Sequence, residues 1–117
     1  MLFRSFAAAW GASIASGADF IAALTGLDRV LASADVALTG EGRFDEQSMA
    51  GKVVGRVLAA APHRSVVIAG SLAYPPPDRG YSLTELSGSL AAALAQPELW
   101  IERAAAQAAR ELTQRNR

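Results

Sequence analysis

Apolar residues fall into short runs that alternate with helical stretches along the chain. Residues 36–38 are continuous and apolar, as a buried parallel strand is, and the predicted strand 65–69 is β-branched at residues 66–68. Between them, residues 48–61 carry apolar side chains at spacings of three and four, which predicts a helix that ends before Pro62. The order strand, helix, strand predicts one βαβ unit with a right-handed crossover. The fold class is therefore predicted to be α/β.

The remaining elements are predicted from periodic apolar positions and capping residues. Helices are predicted over residues 6–16, 18–24, 27–32, 89–95 and 97–114. Ser16 or Gly17 caps the second of these at its start, Gly26 ends it, and Pro97 suits the first position of the last one. Residues 81–83 form either a short strand or an extended entry to a helix.

The composition restricts the possible binding partners more than it restricts the possible functions. The 117 residues include 11 basic and 11 acidic side chains, so the net charge is zero and no broad field attracts nucleic acid or an anionic membrane. The apolar stretch over residues 6–14 is too short and too interrupted to be a membrane span or a signal peptide. The chain has no cysteine, which excludes disulfides and thiolate metal sites and makes the cytoplasm the expected location.

Candidate chemistry concentrates in residues 39–52. Residues 39–45 read TGEGRFD, and the Gly51-Lys52 pair follows shortly afterwards, with Lys52 the single lysine of the sequence. Two glycines flank Glu41, which predicts a turn with positive φ after the first strand. Ligands collect at the carboxyl ends of parallel strands and at helix N-termini, and charges of both signs suit phosphate and metal.

A P-loop is excluded as the explanation of the Gly-Lys pair. That motif requires G-x-x-x-x-G-K followed by Ser or Thr. Glu46 stands where the first glycine belongs, and Val53 stands where the hydroxyl belongs.

The longer pattern resembles the bacterial glycerate kinase family, whose chains carry T-G-E-G-R-x-D-x-Q-[ST]-x-x-G-K after a hydrophobic strand. Every fixed position of that pattern is matched without a gap: Thr39, Gly40, Glu41, Gly42, Arg43, Asp45, Gln47, Ser48, Gly51 and Lys52. The likeness spans about residues 10–112 and departs in the proline-rich stretch 72–80 and at the N-terminus. The resemblance implies that residues 6–117 are the C-terminal part of a longer Rossmann-like domain. Residues 1–5 are interpreted as an adapter-derived, non-native start.

The resemblance implies a partial Rossmann-like, three-layer fold with a parallel sheet and helices on both faces. It also implies transfer of the γ-phosphoryl group of ATP to a hydroxyl of D-glycerate with Mg²⁺, and no activity for this part alone. Asp45 and Glu41 would then be the catalytic carboxylates and metal ligands. The substrate and phosphate contacts would come from Thr39, Gly40, Gly42, Arg43, Ser48, Lys52, Gly70 and Ser71.

Structural alternatives remain for most of these residues. The carboxylates could be solvated turn residues, Arg43 could form a local ion pair, and Ser48 could cap a helix. His63 is interpreted as a surface loop residue. Two other functions stay open: a non-catalytic nucleotide or small-anion binding module, with a homodimer completing its sheet, and a fragment with no function of its own.

Overall fold

The structure, a computed structural model, describes residues 2–115, with side chains from residue 5 onward. The helices are α1 (Leu2–Ala9), α2 (Gly17–Thr25), α3 (Leu27–Ser33), α4 (Val53–Ala60), α5 (Leu83–Ser87), α6 (Leu90–Ala95) and α7 (Pro97–Arg115). The strands are β1 (Ala37–Phe44), β2 (Ser65–Leu72) and β3 (Arg79–Ser82), and a 3-10 turn, Glu46–Met49, precedes α4. Met1 and residues 116–117 lie outside the described residues, so the proposed limits at 1–5 and 6–117 stay predictions.

The three strands form one parallel sheet in the order β1-β2-β3. Ala37 lies opposite Ser65, and Val66 lies opposite Arg79. The central strand β2 is buried on both sides, which is why Val66 and Val67 can both be apolar. This arrangement confirms the α/β prediction and the parallel strand pair.

Helices cover both faces of the sheet, as the resemblance implies for a partial Rossmann-like fold. On one face, buried side chains of β2 and β3 meet α5, α6 and α7 in the cluster Val66, Tyr81, Leu83, Ala93, Ala104 and Ala108. On the other face, β1 and β2 meet α4 in the cluster Phe44, Val54, Leu58, Val67 and Ala69. Small alanines on α7 let it lie close to the sheet.

The proline-rich stretch makes a short connection between two parallel strands. Parallel strands ordinarily need a crossover of a dozen or more residues, whereas only residues 73–78 lie between β2 and β3. Because Arg79 pairs with Val66, the chain must return past six strand residues, about 20 Å at the usual rise. Seven steps of extended, polyproline-like chain span about 22 Å, so the prolines 75–77 suit this return. Asp78 secures its end by accepting a hydrogen bond from the backbone N–H of Ser65 at 3.1 Å.

The predicted glycine turn after residue 38 is wrong, because β1 continues to Phe44. Gly40 and Gly42 lie within the strand, and neither has a positive φ. A side chain at Gly40 would meet the carbonyl of Ile68, and one at Gly70 would lie 2.5 Å from the carbonyl oxygen of Gly42. Gly40 and Gly70 are therefore required by the close approach of β1 and β2.

Two helix predictions also differ from the structure. The single helix predicted over residues 48–61 is divided into the 3-10 turn and α4 because Gly51, at φ 74°, reverses the chain between them. The helix predicted over residues 6–16 is confirmed only as far as Ala9, where α1 ends, and its continuation is wrong because Gly11 is left-handed. The caps at Ser16 and Gly26 are confirmed: the Ser16 side chain accepts from the N–H of Asp19, and Gly26 is left-handed at φ 68°.

A polar network attaches α7 to β3. The Tyr81 hydroxyl donates a hydrogen bond to Glu111 at 2.6 Å, and Gln107 donates another at 3.0 Å. The hydrogen bond from Tyr81 is the main reason why the pKa of Glu111 is lowered from 4.5. Burial, followed by the hydrogen bond to Glu111, raises the pKa of Tyr81 above 10.0.

Gly70→Ala should destabilise the fold, because the added methyl group would overlap the backbone of Gly42. We expect a loss of about 1–3 kcal/mol in the free energy of unfolding, the usual range for overpacking. Gly42→Ala is the matched control, since a methyl group there meets nothing within 4 Å, and it should cost about 0.5 kcal/mol or less. Urea denaturation of both variants measures the difference, and equal losses would contradict the close-approach explanation.

The Tyr81–Glu111 hydrogen bond should make stability depend on pH. A lowered pKa of Glu111 in the folded state adds stability above pH 4.5 that is lost as pH falls below that value. A raised pKa of Tyr81 adds stability below pH 10.0 that is lost as pH rises further. The stability difference between wild type and Tyr81→Phe should therefore be largest at neutral pH and shrink at both extremes. Tyr74→Phe, at a tyrosine that is 45% exposed, should show no such profile.

Candidate functional site

The charged residues of the 39–52 stretch meet at the carboxyl end of β1. Glu41 lies in β1, and Lys52 lies at the N-cap position of α4. The Lys52 ammonium donates to Glu41 Oε2 at 3.1 Å, although eleven residues separate them. Only 15% of the Glu41 side chain is exposed, against 47% for Lys52. The pair joins the strand to the start of the helix.

Glu41 retains one carboxylate oxygen without a hydrogen bond. Its Oε1 atom is buried and has no partner among the described residues, while Oε2 is engaged by Lys52. A buried acceptor without a donor is costly, and in native proteins it commonly marks a place for a water, an ion or a ligand group. This oxygen is a suitable metal ligand.

A divalent cation at this edge would need further ligands from solvent or substrate. Within residues 2–115, no three acidic, histidine or cysteine side chains lie together as a metal-binding group. Mg²⁺ commonly binds through one or two carboxylates and completes its shell with waters and phosphate oxygens. Glu41 Oε1 fits that kind of site as a single carboxylate, because Asp45 lies four extended residues further along, about 13 Å away at the usual rise.

Asp45 shapes the turn that follows β1. Its Oδ1 atom accepts a hydrogen bond from the N–H of Gln47 at 3.0 Å, and its own N–H donates to Ser48 Oγ at 2.9 Å. This reciprocal arrangement is a capping box. Ser48 is fully buried, so its hydroxyl serves the turn, as the capping alternative predicts.

Arg43 lies beside Asp45 and is largely free to move. Its Nε atom is 3.6 Å from Asp45 Oδ2, which forms the local ion pair that the structural alternative proposes. The Arg43 side chain is 69% exposed, and exposed pairs of this kind contribute little to stability. An incoming anion could therefore recruit Arg43 at small cost.

The 3-10 turn before α4 also packs against the first turn of that helix. Gly55 in the first turn of α4 lies against the backbone of the 3-10 turn, where a Cβ would be 2.7 Å from the carbonyl oxygens of Ser48 and Met49. Lys52 makes no side-chain cap on α4, because its ammonium group cannot accept a hydrogen bond, and its side chain extends to Glu41 instead. The first N–H groups of α4 thus lie beside the cationic side chain, where both favour an anion.

The other predicted residues lie nearby on β1 and β2. Arg43 is opposite Ser71 in the register, and Gly70 lies against the backbone of Gly42. Thr39 and Gly40 precede Glu41 in β1, on the side of the amino end of the strand. The structure thus brings Glu41, Arg43, Asp45, Ser48 and Lys52 to one edge, and the ligand contacts of all ten residues stay predictions. His63 is exposed, in agreement with its assignment to a surface loop.

Sequence reasoning missed the helix that completes this edge. Helix α5 begins directly after β3, and Thr84 in its first turn donates to the carbonyl of Gly70 at 2.7 Å. The Ser82 side chain caps α5 by accepting from the N–H of Glu85. The pattern Ser-x-x-Glu before an apolar run is a capping signature that could have revealed the helix.

The fold and the edge define a class of α/β protein with a mixed acidic and basic site at the ends of parallel strands. Residues 4–113 match the family model described as the glycerate kinase family. That match covers most of the 117 residues, so the chain belongs to the glycerate kinase family. None of the helices between residues 2 and 115 is long and apolar enough to cross a membrane.

Relatives of the chain are found among bacterial proteins that are themselves uncharacterized. It is 55% identical over 51 residues to uncharacterized proteins of Mycobacterium bovis and Mycobacterium tuberculosis, covering 44% of this chain and 13% of each relative. It is 47% identical over 60 residues to an uncharacterized protein of Synechocystis, covering 49% of this chain and 16% of that protein. The matched part is thus a small fraction of each relative. No solved structure matches the chain significantly.

Removal of the Asp45 side chain should loosen the turn after β1. Asp45→Ala should lower the free energy of unfolding by about 1 kcal/mol, the usual cost of a lost cap. Asp45→Asn should retain most of that stability, because asparagine caps about as well as aspartate. Thermal and urea denaturation measure both variants. If Asp45→Asn were as destabilising as Asp45→Ala, the ion pair with Arg43 and not the cap would hold the turn.

Proposed function

We propose that this chain forms part of the active site of a glycerate kinase, in which the γ-phosphoryl group of ATP is transferred to a hydroxyl of D-glycerate in the cytoplasm. Membership of the glycerate kinase family supports the reaction class. The observation that carries the proposal is the Glu41–Lys52 pair at the carboxyl edge. It combines a cation with a buried carboxylate oxygen that lacks a hydrogen bond.

Phosphoryl transfer requires mainly positioning and charge stabilisation, and the edge residues suit those tasks. Lys52 would hold a phosphate oxygen as a point charge, while Arg43 would leave its weak pair with Asp45 and bind an oxyanion bidentately. Glu41 Oε1 would hold Mg²⁺, which would neutralise phosphate charge. The backbone at Gly42 would allow a ligand to approach closely, because nothing lies within 4 Å of the position that a Cβ would take there.

Asp45 would orient the attacking hydroxyl and accept its proton as the phosphorus–oxygen bond forms and ADP departs. Its Oδ1 atom is engaged in the cap, so Oδ2 is the oxygen that can face a substrate once Arg43 moves. A carboxylate with one oxygen fixed by the backbone is well oriented for such a role. Ser48 would act indirectly by holding this turn.

Non-catalytic nucleotide or small-anion binding is the second candidate. The observation that favours it is the use of Asp45 and Ser48 in a capping box, which explains both residues without catalysis. Lys52 and Arg43 would bind the anion in either case. The two functions differ in whether glycerate is phosphorylated and in whether the carboxylate of Asp45 matters.

Replacement of Lys52 should weaken the binding of ATP with Mg²⁺ to this chain. Lys52→Met should raise the dissociation constant by about tenfold or more, since a charged hydrogen bond is worth about 1.5–3 kcal/mol. Isothermal titration calorimetry measures the constant. Arg110→Met, at an exposed arginine of α7, is the matched control and should leave it unchanged.

A metal probe tests Glu41 separately. Mn²⁺ in place of Mg²⁺ should broaden the NMR signals of residues near Glu41, and Glu41→Gln should remove that broadening while the fold persists.

We expect no glycerate-dependent ADP formation by the isolated chain. ADP formation would contradict that expectation, whereas equal ATP binding by Lys52→Met and Arg110→Met would remove the basis for both candidate functions.

A further inference from the structure

An ion-pair network joins three helices around Arg56, one helical turn after Lys52. The Arg56 Nη2 atom lies 2.7 and 2.6 Å from the two carboxylate oxygens of Asp28 on α3, and its Nε atom lies 3.0 Å from Asp19 Oδ1 on α2. The Arg56 side chain is 26% exposed, whereas both aspartates are mostly exposed. An arginine that binds carboxylates of two neighbouring elements in fixed directions restricts how its own element can shift. Arg56 therefore ties α4 to α2 and α3.

Apolar packing holds the two ends of α4 unequally on the side of α2 and α3. Near the end of the helix, Val57 and the following Ala61 are buried in a cluster with Leu31 of α3. Near its start, a cleft of about 320 Å³ lies between α4 and α2, and Val53 on its wall is 62% exposed. Apolar contacts are not directional, and a cleft offers few of them. The ion pairs of Arg56 therefore supply directional contacts where apolar packing is sparse.

The start of α4 determines where Lys52 lies. The backbone N–H of Arg56 donates to the carbonyl oxygen of Lys52 at 3.1 Å, which is the first hydrogen bond of the helix. Lys52, at the N-cap position, in turn reaches Glu41 on β1. Displacements of about 1 Å at a functional site can change rates about a hundredfold, even when the altered residue is distant from the ligand. A shift of this helix start would therefore be felt at the Glu41–Lys52 pair.

We propose that Arg56 is a positioning residue, which holds the start of α4 through Asp28 and Asp19 so that the Lys52 ammonium meets Glu41. Arg56 contacts no ligand in this role, because its guanidinium group faces the two aspartates. Its effect on the Glu41–Lys52 pair belongs to the folded chain itself. The consequence for ligand binding rests on the proposed function.

Urea denaturation of mutant cycles tests the placement of Lys52 without a ligand. The coupling free energy between Lys52→Met and Glu41→Gln measures the pair in the wild-type background, and the same cycle is repeated with Arg56→Gln. We expect the coupling to fall to about half or less when Arg56 is replaced, because Lys52 then meets Glu41 less often. Asp28→Asn removes the bidentate partner on α3 and carries the same expectation if Arg56→Gln does not fold.

Arg79→Gln is the matched control for that cycle. The Arg79 side chain is 21% exposed and pairs with Glu111, at 3.8 Å, on the face of the sheet opposite α4. Its replacement should lower the free energy of unfolding and leave the Glu41–Lys52 coupling unchanged. An arginine with a purely structural role would lower stability equally in every background. That result for Arg56, or the absence of coupling in the wild-type background, would overturn the proposal.

Titration calorimetry with ATP and Mg²⁺ separates this inference from the proposed function. Arg56→Gln should raise the dissociation constant about threefold to tenfold, and it should add nothing in the Lys52→Met background, because it acts through Lys52. If Lys52→Met leaves binding unchanged, the proposed function fails, and the coupling cycle still decides what Arg56 does. If Lys52→Met weakens binding and Arg56→Gln does not, or if the two losses add, the positioning role is overturned.

Discussion

The close parallel pairing of β1 with β2 is the constraint on which the rest of the structure depends. At Gly40 and Gly70 the two backbones approach so closely that a side chain would meet the neighbouring carbonyl. This contact places β1 beside the strand that is buried on both faces, and it keeps β1 extended as far as Phe44. The candidate site exists because β1 then ends beside α4.

The site is a product of non-local contacts within a small α/β unit. Glu41 would be an ordinary half-buried strand residue if the loop after Asp45 did not turn back and bring Lys52 to it. The capping box at Asp45 and the left-handed Gly51 produce that return. The residues that shape the turn in this segment therefore also present the charges of the candidate site.

The predictions from the sequence succeeded where local chemistry decides the structure. The caps at Ser16 and Gly26 and the start of α7 at Pro97 follow from side-chain hydrogen bonds, left-handed glycine and the fixed φ of proline. The strand cores near Val66 and the parallel pair followed from apolar runs with a helix between them. For β3 the prediction stayed open between a short strand and an extended entry, and helix α5 was missed, because neither element is long enough to show a period.

The sequence by itself determined the α/β class, the family and the set of charged residues between 39 and 52, since these depend on composition and on an ungapped motif. The tertiary structure alone decided what those residues do locally. It made Gly40 and Gly42 strand residues, because pairing with β2 outweighs the preference of glycine for turns. It joined Glu41 to Lys52 and left a groove beside β1, because both depend on which distant segments lie against each strand.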